Sequence, residues 1–164
     1  MKRMHSTVEY YRIIDADYAF VGLKSAVGSV ARNAVDSLRR DGLRVGLVAL
    51  AEPAPLSIEI ANLLGQARAI GLVESSRTND HIGPTLMGLL WRASATPEWY
   101  APGRIPRVYS AVLEAGRPTP REEHLIGLAK AMHTWEPEQI LFTEDGLAKP
   151  VGGISRARAF AEVA

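Results

Sequence analysis

The stretch Tyr18 to Leu50, "YAFVGLKSAVGSVARNAVDSLRRDGLRVGLVAL", leaves few folds open to this chain. Two apolar runs, Tyr18–Leu23 and Leu43–Leu50, are rich in β-favouring side chains. Both are continuous rather than alternating, the pattern of strands covered on both faces by helices. Between them Val27, Val30, Ala31, Ala34, Val35 and Leu38 recur at spacings of three and four, which predicts an amphipathic helix. Ser25 is expected as its N-cap, and Gly42 stands where a left-handed residue commonly ends a helix. The unit is a βαβ with a right-handed crossover.

The alternation continues. A helix is expected near Leu56–Leu64, a third strand over Ala69–Glu74, and a helix carrying Ile82, Leu86, Leu89 and Leu90. "IPRVYSAVLE" predicts a fourth strand, and "TPREEHLIGLAKAMH" a helix with Thr119 as N-cap, Pro120 at its first position, and Glu122 and Glu123 in its first turn. The implied fold class is α/β: a three-layer, open, mostly parallel, Rossmann-like sheet with helices on both faces. Residues 1–12 are expected as an N-terminal arm, 13–134 as the domain and 135–164 as a C-terminal extension. The loop "SATPEWYAPGRIP" and the segment from Trp135 are expected outside the sheet. Trp135, Ile140, Leu141 and Phe142 must bury somewhere, either on another chain or back on their own domain.

At 164 residues the chain makes one domain. A domain of this size hides about 70% of its unfolded surface and needs no metal or disulfide to hold it. It has no cysteine, which excludes thiol catalysis and cysteine-ligated clusters on this chain. A net charge of +1 gives no general attraction to nucleic acid or an anionic membrane. No apolar run reaches the roughly 20 residues of a membrane span, and no signal peptide is evident, so a cytoplasmic location is expected.

The functional candidates are few. The turn Gly22-Leu23-Lys24-Ser25-Ala26-Val27-Gly28-Ser29 has neither GxGxxG nor P-loop spacing. Ser25, Gly28 and Ser29 are its candidates for holding a nucleotide or small anion. The alternative is that Gly28 and Ser29 let the helix pack closely on the sheet. After the third strand, "VESSRTNDHIGPT" gathers Glu74, Arg77, Asn79, Asp80 and His81 where open α/β sheets place functional groups. An Asp80–His81 pair suggests a base, but Ser75 and Ser76 lie in no nucleophile elbow. A loop bonded internally or to a partner chain is the plainer reading. The histidines, His5, His81, His124 and His133, have no metal-ligand spacing. No catalytic residue and no metal site is therefore assigned.

The order of blocks resembles one family. "YYRIIDADYAFVGLKSAVGSVARNAVDSLRRDGLRVGLVAL" is similar to the start of the second domain in the alpha chain of 2-oxoacid:ferredoxin oxidoreductases, a domain of the transketolase C-terminal type. Tyr11, Asp15, Asp17, Gly28, Ser29, Arg39 and Gly42 stand at matching places. "EPAPLSIEIANLL", "GLVESSRTNDHIGPTLMGLL" and "GRPTPREEHLIGLAKAM" look like the blocks that follow, so the likeness covers roughly residues 11–132. It implies a supporting subunit without a complete active site, made separately from the pyrimidine-binding domain. It places thiamine diphosphate, Mg and iron–sulfur clusters on partner subunits and no cofactor on this chain. Glu74, Arg77, Asn79, Asp80, His81, Trp135 and Phe142 are then the partner-contact candidates.

Overall fold

The computed structural model describes residues 8–52, 56–75, 82–96, 105–113, 120–134, 139–142 and 148–150. In chain order the elements are β1 (Val8–Tyr11), β2 (Tyr18–Leu23), α1 (Lys24–Val27), α2 (Val30–Arg40), β3 (Val45–Leu50), α3 (Ile58–Leu64), β4 (Ala69–Ser75), α4 (Gly83–Ser94), β5 (Arg107–Leu113), α5 (Glu122–Thr134), β6 (Gln139–Phe142) and β7 (Ala148–Pro150). The strands form one sheet in the order β1-β3-β2-β4-β5-β6-β7. The five inner strands are parallel, while β1 and β7 pair antiparallel at the two edges.

Side-chain alternation along each inner strand divides the core into two layers. Tyr18 and Phe20 of β2, Leu47 of β3, Val73 of β4 and Tyr109 of β5 face α2 and α5. Ala19 and Val21, Val48 and Leu50, and Ile70 and Leu72 face α3 and α4. β2 and β3 are therefore apolar on both faces, the three-layer α/β arrangement that their unbroken apolar runs predict. The helical stripe behaves as its spacing requires: Ala31, Ala34, Val35 and Leu38 are buried on one face of α2. α2 ends in a Schellman motif, with Leu43 N–H on the Leu38 carbonyl (2.9 Å) and Gly42 N–H on that of Arg39 (3.1 Å). Gly42 has φ +92°, the left-handed geometry expected of it.

Four expectations change. The first helix is not continuous: it breaks at Gly28 into α1 and α2, so Ser25 lies inside α1 and caps nothing. α5 begins at Glu122, so Pro120 precedes the helix. Its N-terminus is closed instead by His124, whose Nδ1 accepts the Arg121 N–H at 2.9 Å, the job of a capping-box side chain. Thr119 lies outside the described residues. Val8–Tyr11, in the expected arm, extends the sheet along β3. Gln139–Phe142 and Ala148–Pro150, in the expected extension, extend it beyond β5. These described pieces of both ends lie on their own domain; apart from Arg12, the rest of the two segments falls outside the described residues.

Candidate functional site

Among the parallel strands the chain steps from β2 outward to β3, then returns to the other side of β2 to lay down β4. The crevice beyond the carboxyl ends of β2 and β4 is thus the topological switch point, where doubly wound sheets receive ligands. Gly22 brings the two strand ends together. A Cβ on it would stand 2.7 Å from Val27 Cγ1 and 3.1 Å from the Val73 carbonyl oxygen. Close packing here belongs to Gly22, not to Gly28.

Gly28 has φ +54° and ψ −163°, a backbone region essentially reserved for glycine. Nothing lies within 4 Å of where its Cβ would be. Its task is to turn the chain from the single turn of α1 into α2. Gly28→Ala is therefore expected to cost about 1–3 kcal/mol through backbone strain alone. Urea denaturation that shows an unchanged midpoint would reject this assignment. Ser29 occupies the N-cap position of α2 in a helical conformation, and its side chain makes no capping bond.

At the end of β4, Glu74 is buried, 6% exposed. Its Oε1 accepts the N–H groups of Ile82 (2.9 Å) and Gly83 (3.1 Å). α4 begins after an apolar N-cap, Ile82, which offers no side-chain acceptor. A carboxylate from across the loop supplies what that residue lacks, and its charge lies at the positive end of the helix. The helix N-terminus at this crevice is thereby filled by the chain's own anion. Arg77, Asn79, Asp80, His81 and Trp135 lie outside the described residues. Phe142 ends β6, in register with Leu113 and Ala148. Among the described residues no group of three His, Asp or Glu side chains is arranged to hold a metal.

A second group of polar side chains, around Asp15, Asp17 and Arg39, assembles at the opposite end of the sheet. Arg39, from the last turn of α2, donates to both oxygens of Asp15 (3.1 and 2.7 Å), to the Val45 carbonyl (2.8 Å) and to the Arg12 carbonyl (2.6 Å). The hydrogen bonds and charge of Arg39 hold the Asp15 carboxyl below the usual carboxylate range. Asp17 receives Arg44 through two nitrogens (3.0 and 3.1 Å). The Tyr11 hydroxyl donates to Asp36 (2.8 Å), which raises the pKa of the phenol. These groups fasten the chain before β2 to α2 and to the start of β3. His133, in the last turn of α5, meets the Tyr18 hydroxyl at 2.9 Å. Apart from Arg39–Val45, six positions apart, these contacts join residues 24 to 115 positions apart, so sequence spacing carries no sign of them.

No helix among the described residues is long and apolar enough to cross a membrane. No known family profile matches the chain. Over 70 residues, 42% of its length, the chain is 36% identical to the NADH-dependent phenylglyoxylate dehydrogenase subunit alpha of Aromatoleum evansii. The matched stretch spans 16% of that protein's length, so the likeness is to a small part of a much longer alpha subunit.

Proposed function

We propose that this chain is a non-catalytic, structural component of a thiamine-diphosphate-dependent 2-oxoacid oxidoreductase assembled from several chains. The observation that carries the reading is the 36% identity to a dehydrogenase alpha subunit. That protein's substrate, phenylglyoxylate, is by constitution a 2-oxoacid. The mostly parallel α/β fold supports the reading, being the fold that the resemblance implies. So does the crevice at the switch point, where the described carboxylate, Glu74, is committed to the N–H groups of α4.

On this reading thiamine diphosphate and Mg are held by partner chains and supply the carbanion chemistry of oxidative decarboxylation. Iron–sulfur partners then pass the electrons to ferredoxin or another acceptor. The residues of this chain build a rigid layer against which those partners fold. The loop Glu74–Gly83 and the two terminal segments supply its contacts, through Arg77, Asn79, Asp80, His81, Trp135 and Phe142. Isolation from native cells under mild, oxygen-free conditions, followed by mass spectrometry, tests the assignment. Thiamine-binding and iron–sulfur chains are expected to accompany it. A lone chain that binds a nucleotide in equilibrium dialysis, and loses it on Gly28→Val, would replace this reading with a free-standing anion-binding domain.

A further inference from the structure

The segment from Val8 to Asp17 is joined to the domain differently from the inner elements. β1 covers the edge of β3 through four paired residues. The chain then turns at Arg12, whose φ of +50° is a left-handed conformation that costs a non-glycine residue energy. It crosses the α3/α4 face of the sheet over Gly46, where an added Cβ would stand 2.7 Å from both the Arg12 carbonyl oxygen and the Ile13 Cα. Ile13 and Ala16 are the buried apolar anchors of this crossing, whereas Ile14 is 83% exposed.

Val8 and Tyr11 pack partly against the two core layers, and the other described side-chain ties are polar. Glu9 pairs with Arg32, Tyr11 with Asp36, and Asp15 with Arg39, while the Arg12 guanidinium lies 3.7 Å from Asp36. Beside them is a hollow of about 370 Å³, lined by Tyr10, Arg12, Ile13, Ile14, Asp15 and Arg39. Few fully buried apolar anchors and solvent-facing ion pairs are what set a local opening unit apart from a core.

We propose that Val8–Ala16 is a charge-held strap that opens as a unit under native conditions and bares the edge of β3 while the rest of the domain stays folded. Exposed ion pairs weaken with salt, and the screening length shortens from about 10 Å at 0.1 M to about 3 Å at 1 M. The interior strands β2 and β4, by contrast, hold through apolar burial that salt does not weaken.

Amide hydrogen exchange on the full chain tests this at about 0.1 M and about 1 M salt, the two screening regimes. The amides of β1 are expected to exchange about tenfold faster or more at high salt, while those of β2 and β4 keep their protection. Arg39→Gln should bring fast β1 exchange at low salt and flatten its salt dependence. Gly46→Ala places a methyl group in the strap's backbone, and should leave β1 unprotected at either salt concentration with β4 still protected. The proposal is overturned if β1 amides in the unaltered chain exchange at the rate of β2 and β4, or ignore salt. That result needs no variant, so a Gly46→Ala chain that fails to fold does not rescue the idea.

Discussion

Phe20→Ala is expected to remove about 3–5 kcal/mol of folding stability, the range for truncating a fully enclosed phenylalanine. Phe20 has no exposed surface and lies at the centre of β2, between β3 and β4. Its register partner on β4 is Gly71, which has no side chain to move into the space. A Cβ at Gly71 would already stand 2.9 Å from Leu128 and 3.1 Å from Met132, so α5 rides close to the sheet there and has little room to settle further. A cavity that cannot collapse keeps the full penalty. Set against a typical total of about 5–15 kcal/mol, the loss is a large share. The urea midpoint should fall with the slope unchanged. If the chain is a scaffold, less complex should assemble, while the complex that does assemble keeps its turnover.

Glu74→Ala is expected to cost about 2–4 kcal/mol, because two hydrogen bonds to a charged acceptor are lost and two buried donors are stranded. The variant removes the acceptor of the Ile82 and Gly83 N–H groups, at 2.9 and 3.1 Å. Glu74→Gln keeps an acceptor oxygen but surrenders the charge facing the helix N-terminus, so its loss should be smaller. Thermal unfolding of both variants gives the order. An alanine variant as stable as the parent would show that the carboxylate serves something other than α4.

What the sequence disclosed follows from where periodicity is enforced. β2 is legible because its apolar run is bounded by Asp17 and Lys24 and buried on both faces, so every residue bears the pattern. The break at Gly28 is not legible in the same way. Val27 and Ala31 both face the α2/α5 layer, and the apolar stripe passes over the interruption unmarked. Only the glycine itself signals the positive φ. The short outer strands β1, β6 and β7 have three or four residues each, too few to establish a period, and the sheet beside them decides their pairing.

At the candidate site the sequence singled out Glu74 by its position at the end of a strand, and there its buried carboxylate accepts the N–H groups of Ile82 and Gly83. The cap it provides spans eight residues of chain, a distance at which no local motif operates. The same holds for Arg39. Its place in the sequence resemblance gave no contact, and its simultaneous reach to Arg12, Asp15 and Val45 is created by the sheet that brings those segments alongside.

Reconstitution tests the central claim most directly. The thiamine-binding and iron–sulfur chains that co-isolate with this one would be prepared without it, and 2-oxoacid-dependent reduction of a viologen dye measured before and after it is added back. The account predicts no turnover from this chain alone, weak or absent turnover from the partners alone, and recovery when they are combined. Full activity from the partners without it, or 2-oxoacid oxidation by the isolated chain, would contradict a structural role.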